Sequence, residues 1–320
     1  MSTPTLADLR DAAALVRAHV APTPQHPWPL LRERSGLQLW VKHENHTPVG
    51  AFKVRGGIVY FDRLLAHVPR PSGVIAATRG NHGQSIALAA RAHGLPVTIV
   101  VPHGNSREKN AAMRALGATL VEHGDDFQAA REHAQALAAR HGWHMVPSFH
   151  ADLVAGVASY ALELFEAVPR LDAVLVPIGL GSGACGLIAA RDALQLDTEI
   201  IGVVSDGAPT YALSLRAGHV VAHDVTTQLA DGMACRIAEE AALPILQRGL
   251  SQVVSVSDGD VAAAMRLLFE CTHQVAEGAG AAALAAAMQL PRLRGRRVAV
   301  VLSGGNVDCD VYARVLDREP

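Results

Sequence analysis

Aromatic residues make up only 4% of this 320-residue chain, against a high share of alanine. That balance argues against a β-sandwich core and for closely packed helices. Cysteine is scarce as well. Cys185, Cys235, Cys271 and Cys309 are far apart and form no C-x-x-C pair. Their spacing speaks against a disulfide framework or a cysteine zinc site and suits reduced cytosolic thiols. His141 and His144 lie three apart at a break between elements but gain no acidic or cysteine ligand, so they read as connection residues, not as a metal pair. An excess of either charge is missing too: 28 Lys and Arg face 30 Asp and Glu, for a net charge of −2. Neither nucleic acid nor an anionic membrane is an expected partner. The longest apolar run, GAGAAALAAAMQL, is too short and too alanine-rich to span a bilayer. The start, TLADLRDAAALVRAHV, is an amphipathic helix with Thr5 and Asp8 spaced as a capping box; it lacks the basic start and unbroken apolar block of a secretory signal. The expectation is a soluble, cytoplasmic protein.

Half of the residues are apolar, enough for two medium domains or one large one. After the first helix, APTPQHPWPLL is proline-rich and reads as extended or looped. LQLWVKHEN alternates like a strand, and VRGGIVYFDRLLAHV is helical. Then GVIAAT, PVTIVVP, ATLVEHG and WHMVPSF read as short strands separated by the helices NHGQSIALAARAHG, SREKNAAMRALG and FQAAREHAQALAARHG. From Asp152 a second series begins with a helix, the strand DAVLVPI, a helix, the strand EIIGVVS and a further helix. HDVTTQLADGMACR reads as a loop with a short helix. The tail holds QVVSVS, a helix from about Asp258, an alanine-rich helix after Gly280 and the strand RRVAVVLS. Buried strands alternating with helices give an α/β fold of two domains, each an open, mostly parallel sheet flanked by helices. Eight evenly spaced units with a closing strand are not visible, which argues against a barrel.

Four stretches carry candidate chemistry. In KHENHTPVGAFKVRGG, Pro48 and Gly50 break regular structure and deliver Phe52, Lys53 and Arg55 at a helix start. A desolvated lysine amine there is a nucleophile able to form a Schiff base with a carbonyl cofactor. Thr78-Arg79-Gly80-Asn81-His82 is a glycine-bearing strand-to-helix turn whose free N–H groups suit a carboxylate. Gly179-Leu180-Gly181-Ser182-Gly183 follows a strand and opens a helix, the arrangement of a phosphate nest. It does not match G-x-G-x-x-G cleanly, and EIIGVVS lacks the acidic residue that a dinucleotide site requires. Ser303-Gly304-Gly305-Asn306 puts a hydroxyl at a strand end, where it can meet the edge of a flat ligand.

Together these stretches resemble the fold-type II pyridoxal-phosphate enzymes, in the serine/threonine dehydratase group that includes serine racemases. The resemblance covers nearly the whole chain, through KHENHTPVGAFKVRGG, GNHGQ, LADGMACR and LSGGNVD in that order. It implies a tryptophan synthase β-like fold, with residues 1–49 and 147–320 forming a large domain and residues 50–146 a small inserted one. It implies that Lys53 forms the Schiff base with pyridoxal 5'-phosphate and that Phe52 packs beside the ring. Asn81 would bond the cofactor's phenolic oxygen, and the stretch Thr78, Arg79, Gly80, Asn81, His82 would receive the substrate. Gly179, Leu180, Gly181, Ser182 and Gly183 would hold the phosphate, Gly232 would lie near the ring, and Ser303 would face the pyridine nitrogen. A neutral hydroxyl there stabilises a pyridinium less than a carboxylate does, which favours prompt loss of a β-leaving group.

The implied reaction is dehydration of a β-hydroxy amino acid, L-serine or L-threonine by default, to a 2-oxo acid and ammonia, by a homodimer. Three departures from the family pattern stand out. Arg79 replaces the serine that reprotonates the α-carbon in the racemases, which opens a larger or acidic β-hydroxy amino acid as the substrate. Leu180 and Ser182 replace glycines of the phosphate loop. Val204 and Thr210 stand where some relatives offer carboxylates to a divalent cation, so no metal is expected there. The chain stops soon after SGGNVD, so the regulatory C-terminal domain of some relatives is not expected. The rivals are a β-replacement synthase of the same fold, disfavoured by His82 where those enzymes carry threonine, a nucleotide-binding oxidoreductase, and a non-catalytic binding protein.

Overall fold

In a computed structural model, which describes residues 4–67 and 69–317, ten strands form two separate sheets. In chain order they are β1 (Gln25–His26), β2 (Gln38–His43), β3 (Val74–Ala77), β4 (Val97–Val101), β5 (Thr119–Glu122), β6 (His144–Met145), β7 (Ala173–Pro177), β8 (Glu199–Ser205), β9 (Gln252–Val256) and β10 (Arg297–Leu302). The larger sheet has the order β1-β2-β10-β7-β8-β9, parallel except for β1. The smaller is β5-β4-β3-β6 and wholly parallel. Every residue of β3, β4 and β7 is buried, as both faces of a helix-covered parallel sheet require.

Helices Leu6–Arg17, Ala151–Ala167 and Ser182–Ala193 share the core on one face of the larger sheet, while Lys53–His67 runs between Ala151–Ala167 and the helix Asn81–Ala92 of the smaller sheet; Asp258–Thr272 and Gly278–Met288 cover the other face of the larger sheet. The capping box at Thr5 and Asp8 is formed, with Asp8 N–H donating to Thr5 Oγ1 at 3.2 Å and Thr5 N–H to Asp8 Oδ2 at 2.8 Å. Among the described residues no helix is long and apolar enough to cross a membrane, and all four cysteines are free.

Local expectations fail in two places, both at proline. The stretch read as extended or looped contains a helix, Pro29–Ser35, because proline at the first helical position gives up only an N–H that has no intrahelical partner. WHMVPSF yields only the two-residue β6, since Pro147 cannot extend the ladder. Val68, the last residue of the helix expected from Val54, lies outside the described residues.

Candidate active site

The carboxyl ends of β3, β7 and β10 converge on one cleft, about 820 Å³ with its solvent-connected space included. Parallel sheets place ligand sites at such ends. Lys53 opens the helix Lys53–His67. The preceding residues are tied to the end of β10: Phe52 N–H donates to Ser303 O at 3.1 Å, and Ala51 bridges Gly304. The Lys53 amine donates to Ser182 Oγ at 3.0 Å and lies 4.8 Å from the centre of the Phe52 ring. Burial lowers its pKa to about 8, with Cys235 and Glu277 pulling weakly the other way. Lys53 keeps contact with solvent through the cleft, so the amine is both desolvated and reachable.

The residues Gly179–Gly183 line the opposite wall. Gly181 has φ +94°, a left-handed conformation that glycine adopts without strain. The first intrahelical bond of Ser182–Ala193 runs from Cys185 N–H to Gly181 O at 2.9 Å, so the N–H groups just before it are left for a ligand. Two buried tyrosines fix this loop: Tyr211 Oη donates to Leu180 O at 2.9 Å and Tyr160 Oη to Gly183 O at 3.0 Å. Neither tyrosine carries a motif, and only the rule that a buried hydroxyl needs a partner could have singled them out.

The third wall is the turn after β3. Thr78 Oγ1 accepts from Gly80 N–H at 2.9 Å and Gly83 N–H at 3.2 Å, which shapes the turn from inside. Gly80 has φ +147°, and a side chain there would run into Lys109. The first intrahelical bond is Gln84 N–H to Gly80 O at 3.0 Å, which leaves the N–H groups of Asn81 and His82 ahead of it. Asn81 Nδ2 donates to Glu277 Oε1 at 2.5 Å, and Asn81 Oδ1 accepts from Asn306 at 2.9 Å. Burial, with Lys53 second, pulls the His82 pKa down to about 3, so this imidazole is neutral at physiological pH. Arg79 lines the cleft, and its enclosed Nε meets no hydrogen-bond partner among the described residues.

Ser303 and Gly232 line the same cleft, and the Ser303 hydroxyl makes only a long contact, 3.4 Å, to Ala279 O. Every residue singled out from the sequence as a site residue is therefore in one place. Three charged residues that were not singled out are there too. Lys109 reaches across from the small-sheet helix Arg107–Ala115 to Asp231 Oδ2 at 2.7 Å and Glu277 Oε2 at 2.9 Å. Burial alone would lower the Lys109 pKa, but these two carboxylates raise it. Glu277 is raised, chiefly by burial. The one sequence signal was a lone glutamate in the apolar run before the alanine-rich helix.

A reachable, desolvated lysine between a glycine loop and a helix start that both leave N–H groups free is the arrangement of a cofactor enzyme of the Schiff-base kind, on the fold-type II scaffold. The chain belongs to the pyridoxal-phosphate dependent enzyme family, whose pattern it matches over residues 16–304. It is 33% identical to an L-threo-3-hydroxyaspartate ammonia-lyase of Saccharomyces cerevisiae, over 99% of this chain and 97% of that one. An L-threonine ammonia-lyase of Thermotoga maritima is 32% identical over 98% of this chain and 78% of its own. Among solved structures, a pyridoxal 5'-phosphate-dependent aspartate racemase superposes with a TM-score of 0.90 at 27% identity, covering 97% of this chain and 98% of its own. The residues present fit pyridoxal phosphate: an amine for its aldehyde, unpaired amides at a helix start for its phosphate, and a weakly bonded hydroxyl for its ring.

Proposed function

We propose that this protein is an ammonia-lyase that dehydrates a β-hydroxy amino acid to a 2-oxo acid and ammonia. The observation that carries the proposal is the position of the Lys53 amine between the turn at Asn81 and the Gly179–Gly183 loop. Bound pyridoxal phosphate supplies an electron sink that acidifies the substrate's α-C–H. Lys53 would anchor the cofactor through its amine and, once free, would take the substrate's α-proton. With a pKa of about 8, roughly one such amine in ten is neutral at pH 7. Ser182 orients the amine by accepting its hydrogen bond, and the N–H groups of Asn81 and His82 hold the α-carboxylate. The Gly179–Gly183 amides would hold the phosphate, and Ser303 would face the ring nitrogen.

The proton taken by Lys53 leaves with the β-hydroxyl as water. Hydrolysis returns one water, so the net change is amino acid to 2-oxo acid plus ammonia. Residues 1–49 with 147–320 and residues 50–146 act as two bodies that meet at the cleft, each holding one of the two sheets. The resemblance also supports a cytoplasmic homodimer, which sedimentation velocity measures. The test of function is 2-oxo acid release from L-threonine, L-serine and L-3-hydroxyaspartate by the holoenzyme. Release that disappears in Lys53→Ala supports the proposal; no release from any of them overturns it.

A further inference from the structure

Arg79 lines the cleft, yet dehydration of serine or threonine gives it no work. It stands two residues before Asn81, whose N–H and that of His82 already provide for an α-carboxylate. With Phe127 and Ala234 it lines both the cleft and an adjoining outer cavity. The acids of that outer cavity do not take it: Asp126 is paired with Arg236 at 2.8 Å, and no carboxylate among the described residues is within ion-pair distance of Arg79. Its Nε is enclosed and bonded to nothing described. On the cleft side, the Cys235 thiol lies near enough to both Lys53 and Arg79 for each charge to oppose the burial that raises it to about 12. A guanidinium whose Nε is enclosed and unpaired is a strong receptor for a carboxylate, which it grips with two parallel hydrogen bonds.

Resting on the ammonia-lyase reading, we infer that Arg79 is a specificity residue that binds the side-chain carboxylate of a four-carbon acidic substrate, a 3-hydroxyaspartate. Such a molecule carries its second carboxylate two carbons from the first, and the turn sets Arg79 two residues before the N–H of Asn81, with both lining the cleft. Its product is a 2-oxo dicarboxylic acid, with the same balance of water and ammonia as above.

The test is kcat/KM of the holoenzyme for L-3-hydroxyaspartate and L-threonine in wild type, Arg79→Met and Arg79→Lys. The wild type favours the acidic substrate at least about tenfold, and Arg79→Met lowers its kcat/KM on the order of 100-fold, well beyond the loss on threonine. Arg79→Lys recovers part of the loss, because charge returns without the fork. An equal loss on both substrates would assign Arg79 to the α-carboxylate and overturn the inference, while the ammonia-lyase reading stands. No loss on either overturns it as well. Calorimetry with succinate and butyrate decides the matter without turnover. Succinate binds wild-type holoenzyme about tenfold tighter than butyrate, a preference that Arg79→Met abolishes; equal binding in the wild type overturns the inference whatever the assay shows.

Discussion

In the core and in the cleft this protein treats positive charge in opposite ways. Two residues after Lys53, Arg55 is fully enclosed and all of its nitrogens are engaged. Its Nε donates to Glu44 at 2.7 Å, Nη1 to Glu163 at 2.7 Å and Ser159 at 3.0 Å, and Nη2 to Glu163, Glu44 and Thr23 at 2.9, 3.0 and 3.2 Å. Lys42 completes a neutral quartet, 2.7 Å from Glu163. Burial would push Glu163 up, but its bonds to Arg55 and Lys42 outweigh that and hold it below the usual carboxylate range. Lys53 and Arg79, by contrast, meet a single serine hydroxyl between them among the described residues. The lesson is that a buried cation with every donor satisfied is architecture, here clamping the start of the Lys53 helix to β2 and to Ala151–Ala167. A cation left without a carboxylate is reserved for a ligand.

The sharpest break of that contrast is Arg55→Met, which strands Glu44 and Glu163 in the core. It costs about 3–5 kcal/mol, read as a fall in the urea midpoint. Lys109 stands between the two regimes, paired yet lining the cleft. Lys109→Met leaves Asp231 and Glu277 facing each other and costs about 1–3 kcal/mol by the same measurement. Arg79→Met has no partner to strand, and its effect on the midpoint stays within about 0.5 kcal/mol. A large loss there would mean that Arg79 is structural.

Acid sharpens the same contrast. The folded pKa of Glu163 lies below its unfolded value of 4.5. Its contribution to stability is therefore fully present above pH 4.5 and lost as pH falls through the folded pKa. Denaturation midpoints measured from pH 7 downward should hold to about pH 5 and then drop. Arg79→Met follows the wild-type curve, whereas Arg55→Met, having already lost the pair, shows a shallower fall.

Much of this was legible in the sequence, for reasons that particular residues make plain. Apart from Thr98, the strands VIAA and VTIVV are apolar throughout because both faces are covered, and Lys53, Gly181 and Ser303 sit where strands or turns end, so their surroundings are set locally. The Arg55 quartet was not legible. Glu44 and Glu163 are far from each other in sequence and meet only once β2 and Ala151–Ala167 have packed. Lys109 failed for the same reason: SREKNAAMRALG reads as a solvated helix face, and only the closeness of the two sheets brings Asp231 and Glu277 to it. Local chemistry leaves a mark in the string of residues, but pairing across the fold does not.

On this reading the cleft lysine that meets no carboxylate, Lys53, would carry the cofactor, and the paired Lys109 would not. Both Lys53 and Lys109 line that cleft. Burial brings Lys53 down to about 8, whereas two carboxylates hold Lys109 charged and unreactive. Borohydride reduction of the holoenzyme followed by peptide mapping by mass spectrometry distinguishes them. Pyridoxyl mass on Lys53 with loss of the visible band is the result expected; the same mass on Lys109, or on no residue, would contradict it.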